Sequence, residues 1–318
     1  MIGHMSGKVT FYDSYWYCYA NSTAMMLSSI GELVSPRLIE ALSGVGLGAF
    51  VSTDGLPFFS GLRSVPDEGI SRALEILGFT SEETVFENPT GKLAFEQLRS
   101  NLASGPVLLG PLDMTHLAYN PTRPDFSGVD HFVLVFGQEE GLFLLHDPAG
   151  FGNVLISETD LEKAWRADAI EYKRGHYRSW TKPHRASSPS EGEIFRGAIS
   201  TFKELYLDAK VQAAATGKLH DEAAFADMAQ WLSGGTLTPA RSGHLTRFAL
   251  PLGVKRALDY ANFFETRHPG LAELKRDQAA RFGRCLSHVT SDDRNGAIRE
   301  LRSLAALEGR IRDEIARA

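Results

Sequence analysis

A cysteine in this chain stands where a nucleophile would be activated by its surroundings. Cys18 directly precedes YANSTAMMLSSI (residues 19–30), in which small and apolar residues have helical spacing. A thiol at a helix N-terminus feels the positive end of the helix dipole, which favours the reactive thiolate. The alternative is that Cys18 is a small buried apolar residue, which is how we interpret Cys285 in the middle of a later helical segment.

A histidine and an aspartate lie on two strand-like runs that a short turn separates. Residues 131–136 and 142–147 have the apolar pattern of strands, with residues 137–141 between them. If an antiparallel hairpin closes at the ends of these runs, His131 lies directly opposite Asp147 on the same face. The carboxylate would then orient the imidazole as a general base. The alternative is an ordinary half-buried cross-strand pair, and a slip by one residue would separate the two side chains.

Four segments carry or flank these residues: YCYANSTA (17–24), GPVLLGPLD (105–113), DHFVLVFG (130–137) and LLHDP (144–148). Together they resemble the butirosin biosynthesis protein H family, whose members are papain-like enzymes related in fold to bacteriocin-processing cysteine peptidases. The resemblance covers most of residues 10–165. It implies that Cys18 is the nucleophile, His131 the general base and acid, and Asp147 the orienting carboxylate.

The resemblance also implies a reaction, the transfer of an acyl group from a thioester through the cysteine to an amine. The donor would be the phosphopantetheine of an acyl carrier protein or coenzyme A, with no cofactor bound permanently. The acceptor would be a small-molecule amine of natural-product or antibiotic biosynthesis. Two alternatives remain open: a peptidase or amidase that uses the same triad with water, and a binding module without catalytic activity on this fold.

The groups that would stabilise an oxyanion are less evident. Papain-like enzymes commonly carry a glutamine about six residues before the cysteine, and FYDSYW (residues 11–16) contains none. An ionised Asp13 would accept hydrogen bonds and oppose an oxyanion. The hydroxyl of Tyr12 or the backbone N–H of Cys18 would donate to it instead.

Three further segments invite a functional interpretation. Asp113 and His116 lie in a loop before the hairpin and are candidates to hold an amine, although turn capping is the commoner role for such an aspartate. His146 alternates with the neighbouring aspartate and should face the other side of the sheet, where it would be structural. The glycine-rich residues 44–48 favour a flexible loop near the cleft over a phosphate-binding loop, because no strand precedes them.

Composition excludes several classes of protein. The 318 residues include 33 Lys and Arg against 39 Asp and Glu, a net charge of −6, which argues against a nucleic-acid-binding surface. Two cysteines are too few for a disulfide scaffold or an all-cysteine zinc site, and the histidines lack metal-ligand spacing. Without a long apolar run or a secretory signal, we expect a cytoplasmic protein that does not act at a membrane. A homodimer is compatible with the sequence.

The pattern of apolar and polar residues changes near the middle of the sequence. Residues 8–182 mix glycine-rich turns, strands and helices, whereas residues 183–318 carry apolar residues at helical spacing. Pro251 should break or kink one of these later helices. The Pro- and Ser-rich residues 181–193 have the composition of a linker. We therefore predict an α+β, papain-like catalytic domain, in which an N-terminal helix packs on an antiparallel sheet, followed by an all-helical domain.

Overall fold

The computed structural model describes residues 9–14, 16–62, 64–88, 90–235 and 237–318. Its helices are α1 (Cys18–Ser28), α2 (Pro36–Ser43), α3 (Pro66–Ile76), α4 (Gly91–Leu102), α5 (Glu158–Arg166), α6 (Glu191–Thr216), α7 (Asp221–Ser233), α8 (Pro239–His244), α9 (Leu250–Phe264), α10 (Pro269–Thr290) and α11 (Arg294–Arg317). Its strands are β1 (Phe50–Val51), β2 (Pro57–Phe58), β3 (Phe79–Phe86), β4 (Val107–Asp113), β5 (Asp130–Glu139), β6 (Leu142–Asp147), β7 (Phe151–Ile156) and β8 (His176–Arg185).

The chain divides into two compact units. The first comprises the residues up to Ile39 together with Ile70–Ser188, and the second comprises Glu40–Gly69 and Pro189–Ala318. In the first unit, antiparallel strands form one sheet in the order β3-β8-β4-β5-β6-β7. The second unit is mainly helical. The predicted α+β class with a helical C-terminal region is therefore confirmed.

Helices cover both faces of the sheet in the first unit. Phe132 on β5 contacts Tyr19 of α1, with ring centroids 6.1 Å apart. Val133, the next residue, belongs to a buried cluster with Phe95 of α4 and Trp165 of α5. Because successive side chains of a strand point to opposite faces, α1 lies on one side of the sheet and α4 and α5 on the other.

The predicted linker is largely regular structure. Residues 181–185 belong to β8, where His184 pairs with Thr80 of β3. The helix α6 already begins at Glu191, so only residues 186–190 connect the two elements. The linker prediction was wrong because Pro and charged residues mask an alternating pattern, in which residues 181 and 183 are buried and residues 182 and 184 are exposed. The predicted boundary at 182/183 falls inside this last strand.

The compact units also depart from the predicted domains at residues 40–69, which belong to the helical unit. The glycine-rich residues 44–48 are buried there, so their interpretation as a flexible loop was wrong. A Cβ at Gly44 would lie 2.3 Å from Cδ1 of Leu205 on α6, and one at Gly46 would lie 2.9 Å from Cδ of Arg256 on α9. These glycines are needed because the backbone packs directly against helix side chains.

The helical spacing predicted for the C-terminal half is observed as helices α6 to α11, and Pro251 has the expected effect. The region predicted as one kinked helix is divided into α8, a π-helical turn at Leu245–Ala249, and α9. Pro251 is the second residue of α9 and has no N–H to donate to the carbonyl four residues earlier. The wide turn before it accommodates that missing hydrogen bond.

The backbone of β4 at Gly110 lies so close to the ring of Phe132 that one added methyl group should lower the stability of the fold. A Cβ at Gly110 would lie 2.2 Å from Cδ1 of Phe132, the residue that contacts α1. We expect Gly110→Ala to lower the free energy of unfolding by about 1–3 kcal/mol, the usual cost of overpacking. Gly137→Ala is the matched control, because a Cβ there would be 4.0 Å from Leu144. Equal denaturation midpoints of the two variants in urea would contradict the packing argument.

Candidate active site

The structure brings Cys18, His131 and Asp147 together within the first unit. Cys18 is half-buried and is the first residue of α1. His131 lies at the start of β5, and its Nε2 is 2.6 Å from Oδ1 of Asp147 at the end of β6. The two side chains are only 5% and 0% exposed. Cys18 lies within interaction range of His131, since its charge and its side chain both raise the pKa of the imidazole. Since Asp147 occupies Nε2, Nδ1 is the ring nitrogen left to exchange a proton with the sulfur.

The hairpin that carries this pair is longer than predicted. β5 continues to Glu139, and β6 begins at Leu142, so the turn consists of Glu140 and Gly141. Their φ angles are 49° and 84°, as in the two-residue turns that match the twist of paired strands. A bulge between the pairs Val135–Leu145 and Gly137–Leu144 shifts the register further.

The predicted pairing of His131 directly with Asp147 was therefore wrong, although their side chains are in contact. The observed pairing is Leu134 with His146, and its continuation places Asp147 opposite Val133. Val133 and His131 are two residues apart, so they share a face of the strand. Diagonal neighbours on one face lie within reach of long side chains. An error of two residues in register thus leaves the contact possible, whereas an error of one would not.

The pair is held in its charged form. Burial alone would lower the pKa of His131, but the charge of Asp147, its hydrogen bond and the interaction with Cys18 together raise that pKa well above its ordinary value. Burial opposes ionisation of Asp147 as well. The charge of His131 and the hydrogen bonds from His131, from the Ala149 N–H (2.7 Å) and from the Tyr119 hydroxyl (2.9 Å) hold the pKa of that carboxyl below its ordinary value.

Asn21 anchors the segment that precedes the cysteine. Its buried Nδ2 donates to the carbonyl oxygens of Trp16 (2.8 Å) and Tyr17 (2.9 Å), with Ser14 O farther away at 3.3 Å. Tyr17 has φ 65° and ψ 44°, a left-handed conformation that is uncommon for a bulky residue. Such backbone strain persists only where surrounding contacts enforce it, and it is common at active sites. Asn21 supplies those contacts immediately before Cys18.

A hydrogen bond joins the helix that begins at Cys18 to the strand that carries His131. Ser22 Oγ of α1 donates to the carbonyl oxygen of Phe132 at 3.1 Å, and both residues are buried. Phe132 follows His131 directly on β5. The bond therefore fixes the start of α1 against the part of the sheet that carries the imidazole.

The other candidate residues lie outside this set of contacts. Tyr12 is half-buried and Asp13 is exposed in the segment before α1. Asp113 is buried, and its Oδ1 accepts from Thr115 N at 3.0 Å to cap the 3₁₀ turn Met114–His116, which is the capping role considered above. His116 is half-buried at the end of that turn. Among the described residues, none of these four hydrogen-bonds to the triad.

His146 has the structural environment expected of it. Its ring packs against Phe136 and Phe11, with centroids 4.4 Å and 5.0 Å apart. Its Nδ1 accepts from Asn153 N at 3.1 Å. The imidazole therefore belongs to the aromatic layer on the α1 side of the sheet.

Sequence reasoning missed two residues that touch or position the site, Asn21 and Tyr119. Asn21 lies within the segment at residues 17–24 that contains Cys18. Its role depends on the turn before this cysteine, and the spacing of residues does not predict that turn. Tyr119 lies in the loop of residues 111–121, which was selected for its aspartate and histidine. Its hydroxyl donates to Oδ2 of Asp147.

The described ranges of the chain contain neither a metal-binding cluster nor a membrane-spanning helix. No group of three or more His, Cys, Asp or Glu side chains in those ranges is arranged to hold a metal ion. No helix in the same ranges combines the length and the apolar character needed to span a bilayer.

Two comparisons with known proteins agree on one family. Residues 214–316 match the family model described as the YobF C-terminal domain. The chain is also 40% identical over 303 residues to an uncharacterized protein YobF of Bacillus subtilis (strain 168). That similarity covers 94% of this chain and 95% of the relative, so it extends over parts of both compact units.

Removal of the Asn21 amide should disturb Cys18 through the backbone. In Asn21→Ala the carbonyls of Trp16 and Tyr17 lose their donor, and we expect the free energy of unfolding to fall by roughly 1–3 kcal/mol. Alkylation of Cys18 by iodoacetamide should slow at the same time, because the turn before it is no longer fixed. Asn262→Ala, at an exposed position of α9, is the control. Unchanged stability and alkylation in Asn21→Ala would exclude this anchoring role.

The charged pair also predicts how stability depends on pH. The folded-state pKa of His131 lies above its unfolded value of about 6.5, so its contribution is complete below that pH and is lost as the pH rises through the folded pKa. The contribution of Asp147 is present above about pH 3.9 and is lost on acidification. The melting temperature of the wild type should therefore exceed that of Asp147→Asn most near pH 5, and the difference should shrink towards pH 9 in calorimetry. A difference that grows with pH would contradict the assignment.

Proposed function

We propose that this chain, which belongs to the YobF family, is a cysteine-dependent N-acyltransferase that passes an acyl group from a thioester to an amine. The observation that carries the proposal is the continuous contact from Cys18 through His131 to Asp147. A nucleophile, a base and an orienting carboxylate in this order constitute the arrangement needed for acyl transfer through a covalent intermediate. The four motifs that resemble the butirosin biosynthesis protein H family support the choice of thioester and amine.

We further propose that the first unit is a papain-like catalytic domain. In support, α1 begins at the cysteine and packs on an antiparallel sheet, and that sheet carries the histidine and the aspartate on neighbouring strands. The order of the three residues along the chain is also the order implied by the resemblance. Such a domain supplies the catalytic residues from elements that are distant in sequence.

In the first half-reaction the Cys18 sulfur attacks the carbonyl carbon of the thioester while His131 carries a proton. The tetrahedral intermediate collapses with cleavage of the bond between this carbon and the donor sulfur. His131 gives its proton to the departing thiolate. The products are acylated Cys18, a free thiol and a neutral imidazole.

In the second half-reaction an amine attacks the acyl carbon on Cys18. The neutral His131 takes a proton from the amine nitrogen as the new C–N bond forms. The bond between the acyl carbon and the Cys18 sulfur then breaks, which restores the thiolate and the imidazolium. Across both steps a thioester and an amine become an amide and a thiol, and Asp147 stays ionised and stabilises the imidazolium.

The start of α1 supports the binding of the oxyanion in both tetrahedral intermediates. Backbone N–H groups in the first turn of a helix have no acceptor within the helix, and α1 begins at Cys18 itself. We propose the Cys18 N–H as the main donor, with the half-buried Tyr12 as the side-chain candidate. Asp13 is exposed, so solvent screens its charge from the intermediate. His116 remains our candidate for contact with the amine.

Intact-protein mass spectrometry after exposure to acyl thioesters tests the reaction directly. Acyl-coenzyme A and an acylated carrier protein should each be tried as donors, with and without a primary amine. We expect the mass of one acyl group on the wild type and its loss when the amine is added, with the amide as product. Cys18→Ala should abolish labelling and lower turnover by roughly 10⁴-fold or more.

Cys285→Ser is the matched control for thiol chemistry. Cys285 is fully buried, and burial raises its pKa to about 12, so it should neither be acylated nor contribute to turnover. Release of free acid at the same rate with and without the amine would identify a hydrolase instead. Full activity of Cys18→Ala would overturn the mechanism.

A further inference from the structure

The carboxylate of Asp147 is fully buried and receives donors on both oxygens. Oδ1 accepts from His131 Nε2 at 2.6 Å and from Ala149 N at 2.7 Å. Oδ2 accepts from the hydroxyl of Tyr119 at 2.9 Å. The side chain of Asp147 is 0% exposed, so water does not replace a missing donor. Among the described residues, Tyr119 is the side chain that hydrogen-bonds to the second oxygen.

From this geometry we infer that Tyr119 is a positioning residue of the active site, whose hydroxyl fixes the carboxylate plane of Asp147 so that Oδ1 faces His131. The inference rests on the proposed role of His131 as the acid and base for Cys18. Tyr119 itself touches neither the sulfur nor the imidazole in the contacts described. It acts through Asp147.

The Tyr119 hydroxyl is needed to fix the carboxylate of Asp147, because the terminal torsion of an aspartate rotates easily. The terminal torsion of an aspartate has broad, two-fold minima rather than sharp rotamers. With both remaining donors on Oδ1, the loss of the Tyr119 hydroxyl would leave Oδ2 charged and unsatisfied in a buried place. The carboxylate would then rotate towards the nearest donors, and the alignment of Oδ1 with the imidazole would weaken.

The tyrosine is suited to this task because it remains a donor. Burial and the negative charge of Asp147 raise the pKa of Tyr119 well above its ordinary value, so the hydroxyl keeps its proton across the working range of pH. The ring is held by Phe151 of β7, with centroids 5.7 Å apart. The donor position is thus defined by packing as well as by the hydrogen bond.

The loop around Tyr119 is braced by its own polar contacts. Arg123 Nη1 donates to the carbonyl oxygens of Ala118 (3.1 Å) and Asn120 (3.3 Å), the two neighbours of Tyr119. Oδ1 of Asn120 in turn accepts from N and Oγ1 of Thr122 at 3.0 and 2.9 Å. These bonds hold the backbone on both sides of the tyrosine and limit its movement away from Asp147.

Among the described residues, the charged and titratable groups that act on His131 are Asp147 of β6 and Cys18 of α1. Asp147 contacts the ring of His131 directly. Asp130 precedes it on β5, and Oδ2 of Asp130 accepts from the hydroxyl of Tyr172 at 2.7 Å. A change at Tyr119 therefore reaches His131 through Asp147 and leaves the interaction with Cys18 in place.

Tyr119→Phe tests the inference, because it keeps the ring against Phe151 and removes only the hydroxyl. The readout is the rate of Cys18 alkylation by iodoacetamide as a function of pH, in full-length protein whose circular dichroism matches the wild type. We expect the midpoint of the acid limb to rise by about one pH unit, the size expected for one lost hydrogen bond to a charged group. Turnover of the thioester should fall by about 10-fold or more with little change in KM. A profile and a turnover equal to those of the wild type would overturn the inference.

Tyr206→Phe is the matched control. It removes another buried tyrosine hydroxyl, which donates to Oε1 of Glu308 at 2.7 Å in the helical unit. It should lower the melting temperature without moving the alkylation profile. If both variants shift the profile equally, the effect of Tyr119 is a general loss of stability and the inference fails.

The alkylation profile also separates this inference from the proposed function. If thioesters never acylate the wild type but Tyr119→Phe shifts the profile, the positioning role stands and the transferase does not. If the wild type is acylated but Tyr119→Phe leaves the profile unchanged, the transferase stands and the positioning role does not.

Discussion

A buried ion pair between His131 and Asp147 is the constraint on which the rest of the site depends. Removing a carboxylate from water costs several kcal/mol, and attraction to one opposite charge repays this only when the remaining hydrogen bonds are made. Here each oxygen of Asp147 has a donor, from the imidazole and the Ala149 N–H on one side and from Tyr119 on the other. The loop after β4 and the turn after β6 must therefore both be in place before the imidazole can be held charged beside Cys18.

Cys18 meets this pair because α1 is positioned by buried polar contacts as well as by apolar packing. Residues 19–28 of the helix are all buried, so it has no solvent-facing side from which its rotation could be read. Ser22 fixes the helix to the backbone of β5, and Asn21 fixes the turn that leads into it. Together these bonds determine where the sulfur of Cys18 lies relative to His131.

The sequence predicts the helix and strands that carry the site better than the register in which the strands pair. Local signals place the start of α1 and the bounds of β6 almost as observed, because helix ends and strand alternation depend on neighbouring residues. The pairing of β5 with β6 was wrong by two residues, since a two-residue turn and a bulge replaced the expected wider turn. The contact between His131 and Asp147 remains because the face of a strand repeats every two residues.

The roles of Tyr119 and of the glycine-rich residues 44–48 could not be predicted from the sequence. The physical reason is the same for both, since each role depends on a residue that is distant in the chain. The sequence marks Asp113 and His116 as candidates for contact with an amine, but which polar group of the segment after β4 meets Asp147 depends on how that segment folds over another strand. Composition also identifies residues 44–48 as backbone without side chains, but whether the glycines allow movement or close packing depends on Leu205 and Arg256, far away in the chain. In both cases a residue's role is set by a distant partner. A residue that supports the site, such as Tyr119, is therefore harder to predict from one sequence than the position of Cys18 at the start of α1, which follows from local residue patterns.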